Sequence, residues 1–148
     1  MKIFADSKKK IDMVELEKIL SVSGKPGIYK LITGGKSTIV VESLVDGKRI
    51  PVHPTQKVSS LNDISMFTHE EDVPLREILL KAKAAFDGAP APDHKSDSKT
   101  LRETMLRILP NYDAERVYDS DIRKLIQWYN ILQAKDMLEF AEPVKEAE

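Results

Sequence analysis

A chain of 148 residues makes one ordinary domain or two very small ones, and 41% hydrophobic residues are enough for a packed core. Charged residues form 32% of the chain but cancel to a net charge of −1, which excludes a simple polyanion-binding reading of the whole protein. Cysteine is absent, so disulfides, thiolate metal sites and cysteine nucleophiles are excluded as well.

Asp12 followed by Glu15 has the spacing of a capping box, with Ile11 and Leu16 placed for a hydrophobic staple. The pattern predicts a short helix from about Met13 to Leu20, stopped near Gly24. Met13 reads equally well as a start, which would make residues 1–12 an upstream extension. The N-terminus shows no apolar segment with a small-residue cleavage site, and no run of about 18 apolar residues could span a bilayer. A cytoplasmic protein with no membrane partner is the expectation.

Residues 24–68 are punctuated by glycine and rich in β-branched side chains. Strands are predicted at Ile28–Thr33, Thr38–Leu44 and Lys48–His53. Gly34-Gly35 marks the first turn, and Asp46-Gly47 is a two-residue hairpin signal of type I′. Pro51 and Pro54 lack backbone donors and place the third strand at an edge or a bulge. Asp63–Thr68 reads as a fourth strand after the turn VSSLN. Short strands so tightly connected predict a small SH3-like β-barrel or a strongly bent antiparallel sheet.

Asp72 and Pro74 open a bridging helix whose stripe is Leu75, Ile78, Leu79, Ala82 and Phe86, and Asp87-Gly88 ends it. Residues 88–98 are broken by prolines and read as a flexible linker. Thr100 and Glu103 form a second capping box before Leu101, Met105, Ile108 and Leu109, and Pro110 stops that helix. Asp119 or Ser120 then caps the longest helix, about Asp121 to Phe140. Its apolar face, from Ile122 and Leu125 through Trp128 and Tyr129 to Leu132, is too wide to stand alone in water. The chain thus reads as α+β, with a β-rich module over 13–87, a linker over 88–98 and a helical module over 99–141.

The chemistry-bearing patterns are thin. Gly34-Gly35-Lys36-Ser37 resembles the end of a phosphate-binding loop, but Lys30 stands where the first glycine belongs and strands flank both sides. Gly24-Lys25-Pro26-Gly27 has the spacing of a backbone-clamping GxxG loop, yet it joins a helix to a strand rather than two helices. His69-Glu70-Glu71-Asp72 gathers hard ligands but suits a helix N-terminus, where acidic groups meet the dipole. No catalytic residue, metal or cofactor is expected.

Two binding surfaces remain. Residues 1–60 hold 11 Lys/Arg against 6 Asp/Glu, and Tyr29, Lys30, Lys48 and Arg49 lie in or beside the strands, with Phe67 as a further stacking surface. Such a face could bind nucleic acid by charge and stacking, although lysines on hairpins more often protect edges. Trp128-Tyr129 offers aromatic anchors for a protein partner or a second copy, against the plainer alternative that both pack in the helical core. A protein-binding or adaptor role is the leading expectation, nucleic-acid binding the alternative, and a small-molecule enzyme the third.

With these residues in place, the chain resembles a family of small Bacteroidetes proteins carrying domain of unknown function 5606. The resemblance rests on LEKILSVSGKPGIYKLI, on IVVESLVDGKRIPV, and on KVSSLNDISMFT followed by VPLREIL. LPNYDAERVYDSDIRKLIQWYNIL resembles the helical domain that accompanies it. The resemblance implies a two-part, non-secreted bacterial protein and no catalytic residues.

Overall fold

The computed structural model describes residues 16–25, 27–34, 38–53, 55–135 and 137–138. Five strands, β1 (Ile19–Val22), β2 (Tyr29–Thr33), β3 (Ile39–Ser43), β4 (Arg49–Val52) and β5 (Val58–Ser60), make one antiparallel sheet in the order β4-β3-β2-β1-β5. Period-two alternation sorts its side chains. Leu20, Val22, Tyr29, Val41 and Val52 form one buried cluster, with Leu31, Ile39, Ile50 and Val58 packed against it. Because Val52 and Val58 come from opposite edges, the sheet curls around this small core of its own.

The β-region departs from the expected strands in three places. The helix expected over Met13–Leu20 is replaced by a single 3-10 turn, Leu16–Lys18, and by β1; Asp12 and Glu15 lie outside the described residues. Pairing of β1 with both β2 and β5 overrides the local helical signal, as tertiary context commonly does. The segment VSSLN is not a turn: Val58–Ser60 pairs with β1 through Leu20↔Ser60 and Val22↔Val58. The fourth strand contracts to β6 (Ser65–Met66), which pairs with β7 (Val73–Pro74) in a separate two-stranded ribbon.

The hairpin at Asp46-Gly47 also differs from a two-residue type I′ turn. Ser43 N bonds Lys48 O at 2.8 Å, so the loop has four residues, Leu44 to Gly47. Leu44 is the cause: it is buried in the main core, and its N–H reaches Ile28 O at 3.1 Å.

Helix α1 (Leu75–Ala85) buries the expected stripe Leu75, Ile78, Leu79 and Ala82, and Phe86 just beyond it is buried too. Helix α2 (Ser98–Ile108) starts earlier than the Thr100 capping box implies, because Asp97 accepts from Thr100 N at 3.0 Å and caps it. Helix α3 (Asp119–Ala134) stops short of the expected end: Met137 N returns to Leu132 O at 2.8 Å, and Leu138 is buried, while Phe140 lies outside the described residues.

The stretch 88–98 is a pinned strap rather than a free linker. Tyr129 donates its hydroxyl to Ala89 O at 2.7 Å, and Asn130 Oδ1 accepts from Ala91 N at 2.8 Å. Asn130 Nδ2 reaches the carbonyls of Ala91 and Pro92, both at 3.3 Å, and Gln133 Nε2 reaches Gly88 O at 3.2 Å. The strap therefore runs along α3. The two halves share one core: Leu16, Ile19, Ile28, Leu44 and Leu61 join Leu79, Leu101, Met105, Ile126 and Tyr129 in a single buried cluster. No helix among the described residues is long and apolar enough to cross a membrane.

Candidate functional site

The turn between β6 and β7 is held by Thr68, which is fully buried. Its hydroxyl donates to Glu71 O at 2.6 Å and accepts from Glu70 N at 3.0 Å. The chain around Thr68 pairs in turn with the segment after α2. His69 N donates to Asn111 O at 3.0 Å, Asp113 N donates to Phe67 O at 2.9 Å, and Thr68 and Tyr112 sit opposite each other. Asp113 then reverses the chain, its carbonyl accepting from Arg116 N at 3.1 Å and from Val117 N at 2.9 Å.

Arg116 ties this corner together. It donates to the Asp113 carboxylate at 2.8 Å and to Thr68 O at 3.2 Å, and its guanidinium lies 4.4 Å from the centre of the Phe67 ring. The same guanidinium holds the Asp113 carboxyl below the usual aspartate range. Arg102 supports the corner from α2, donating to Asp119 Oδ1 at 2.9 Å and to Ala114 O at 3.1 Å.

Between β6 and α3 this arrangement leaves an apolar cavity of about 130 Å³, walled by Met66, Phe67, Leu75, Val117, Leu125 and Trp128. Ser65, Asp121 and Lys124 supply its polar edge. Asp121 is committed, since its carboxylate accepts from Tyr118 N at 2.9 Å. Lys124 is exposed. Phe67 is 40% exposed, and Tyr118, just before α3, is 63% exposed. A larger hollow of about 390 Å³ lies between the β3–β4 loop and α3, lined by Val45 and Ile131 among others. Of its polar lining residues, Asn130 already engages the strap and His94 engages Asp93, while Gln127 and Lys135 complete the lining.

The residues expected to bind are scattered by the fold. Tyr29 is not a stacking surface: it is 8% exposed and points into the sheet's own core with Leu20 and Val41. Lys30, Lys48 and Arg49 are exposed, but Glu42 stands between Lys30 and Arg49 in the ladder and accepts from Arg49 Nε at 3.1 Å. Trp128 and Tyr129 are not surface anchors, being 7% and 1% exposed. Tyr129 packs on Phe86 with ring centres 5.7 Å apart, and burial pushes its phenol pKa up. Of the six, Trp128 borders the β6–α3 cavity. Ser65, Val117, Tyr118 and Lys124 were not indicated by any spacing, because only the fold brings 64–67 beside 117–128. Among the described residues no group of His, Asp and Glu is arranged to hold a metal ion, the His69–Asp72 run included.

Residues 16–61 match one family model, Domain of unknown function (DUF5606), and residues 64–132 match a second, Domain of unknown function (DUF6852). No curated protein matches the chain. A protein from Bacteroides vulgatus, solved by solution NMR in a structural-genomics programme, is 45% identical. That likeness covers 82% of this chain and 87% of the other, with a TM-score of 0.68. The seam between the two family models falls at 61–64, so the β6–α3 cavity lies within the second. The chain belongs to the bacterial two-domain family in which domain of unknown function 5606 is followed by domain of unknown function 6852.

Proposed function

We propose that this protein is a non-catalytic adaptor of the cytoplasm that docks a protein partner at the groove between β6 and α3. The observation that supports this reading is the half-exposed aromatic Phe67 on the wall of an apolar cavity backed by Trp128, with the exposed Tyr118 following the wall residue Val117 in the chain. Aromatic side chains beside an apolar pocket are the usual anchors of protein–protein recognition. Arg116, fixed on the Phe67 ring and bonded to Thr68 O, holds that lip in place without a partner. Preorganisation of this kind lowers the ordering cost of binding. In this reading the curled sheet is a small SH3-like barrel that serves as scaffold, its aromatic residue Tyr29 being spent on its own core.

Selection of a random displayed peptide library against the full chain tests the proposal. Enrichment on the wild type that is lost on the double variant Phe67→Ala, Tyr118→Ala supports docking at this groove. Both residues are exposed, so the variant should remain folded. Equal enrichment on both proteins, or none on either, overturns it. Salt-steep binding of single-stranded RNA, lost in Lys48→Glu, Arg49→Glu, would instead favour a nucleic-acid regulator, since phosphate neutralisation releases counterions.

A further inference from the structure

We propose that the partner binds this groove as an added β-strand: an extended peptide segment with one leucine-sized side chain for the cavity and an acidic residue two positions on for Lys124. The inference rests on the protein-binding reading above. Its basis is the hydrogen-bond parity of β6. Leu75 N donates to Ile64 O at 2.8 Å, so Ile64 and Leu75 form a bonded pair across the ribbon, and so do Met66 and Val73 two residues on. Ser65 and Pro74 are then a non-bonded pair, which suits Pro74 because it has no N–H to give. Alternation therefore turns the N–H and C=O of Ser65 to the opposite edge.

On that opposite edge Phe67 and His69 are paired with Asp113 and Asn111. The next pair would join Ser65 to residue 115, but the chain has already reversed at Asp113. No strand among the described residues continues the ladder there. Val117 and α3 stand back from the edge instead and enclose the cavity, which Ser65 itself lines. A free backbone donor and acceptor beside a side-chain pocket is the recognition pattern of strand addition: the main chain supplies affinity and alternate side chains supply specificity.

Size and charge narrow the occupant. A cavity of about 130 Å³ is just below the ~150 Å³ that accepts a benzene ring in an engineered core, so a leucine, isoleucine or methionine fits and a tryptophan does not. At the rim Asp121 is occupied by Tyr118 N, which leaves Lys124 as the exposed charge and an acidic neighbour as its complement.

The test titrates the ¹⁵N-labelled full chain with a heptapeptide of alternating threonine and valine, a central leucine and an aspartate two residues after it. Saturable shifts at the amides of Ser65 and Phe67 and at the Trp128 indole are expected, and exchange of the Ser65 amide should slow by about tenfold or more. N-methylation of the peptide amides that face β6 should weaken binding by about tenfold, as should Lys124→Glu, whereas Lys48→Glu should leave it unchanged. No saturation up to about 1 mM peptide, or shifts confined to the five-stranded sheet, overturns strand addition. Should library peptides bind through Phe67 and Tyr118 while the Ser65 amide exchanges as before, the strand mode fails and the adaptor reading stands. An empty selection removes both.

Discussion

Tyr129 shows how one side chain serves two structures at once. Its ring packs on Phe86 inside the common core, and its hydroxyl leaves that core to bond Ala89 O at 2.7 Å in the strap. Tyr129→Phe keeps the ring and removes the bond, leaving a carbonyl unsatisfied. The expected cost is about 1 kcal/mol, which lowers the melting temperature by roughly 2–4 °C in a chain of this size. A calorimetric scan of both proteins checks it. Asp119 makes a different prediction. The Ser98 hydroxyl, then Arg102, holds its carboxyl below the ordinary value of 3.8. A depressed carboxylate stabilises the fold above its unfolded pKa, and that contribution fades as the pH falls through the folded pKa. Wild type should therefore exceed Asp119→Asn in urea midpoint at pH 7, and the gap should close below pH 3.8, where the unfolded aspartate is protonated. A gap that persists unchanged at low pH would show that the charge is not responsible.

At the scale of elements, α1, α2 and α3 were legible because their signal is local and repeats, whereas the helix expected over Met13–Leu20 gave way to a 3-10 turn and β1. The stripe of α1 is buried as its 3.6-residue spacing predicts, and the end at Asp87-Gly88 is where the structure places it. There Asp87 has φ 55° and Gly88 φ 79°, and Gly88 N closes the helix on Lys83 O at 2.9 Å. An added Cβ at Gly88 meets no atom within 4 Å, so Gly88→Ala should cost only the left-handed backbone penalty, about 1 kcal/mol, read as a shift in urea midpoint with an unchanged slope. Strand pairing was less legible, for a physical reason. Val58–Ser60 is three residues long and finds its partner in β1, nearly forty residues earlier, so nothing in its own spacing separates it from a turn. The strap misled in the opposite direction. Prolines and small residues look unstructured, and only the carbonyls they present to Asn130 and Gln133 reveal that they are docked. The same holds for the candidate site: Trp128 and Phe67 could be noticed in the sequence, but the cavity between them exists only because Asp113 turns the chain.

At the scale of the whole molecule, two family models meet in one core. Gly27 brings the β1–β2 turn up to α3: at φ +81° a Cβ placed there would sit 3.4 Å from Val45 and 3.8 Å from Ile131. The next residue, Ile28, is fully buried in the cluster that also holds Tyr129, Ile126 and Leu101. A sheet that kept its own inner core and merely touched the helices would unfold apart from them. A shared cluster couples the two, because a cavity opened from the sheet side removes contacts from α3 as well. Ile28→Ala should therefore destabilise the chain by about 2–5 kcal/mol, the usual range for truncating a buried isoleucine. Trp128 is the chain's single tryptophan and lies in α3, so its fluorescence reports on the helical half alone, while far-UV circular dichroism reports on both. The two probes should trace one coincident denaturant transition in wild type, and in Ile28→Ala that transition should move to lower denaturant as a unit. A variant whose dichroism shifts while the Trp128 transition stays in place would mean that the halves fold separately, with the β6–α3 groove belonging to the helical half alone.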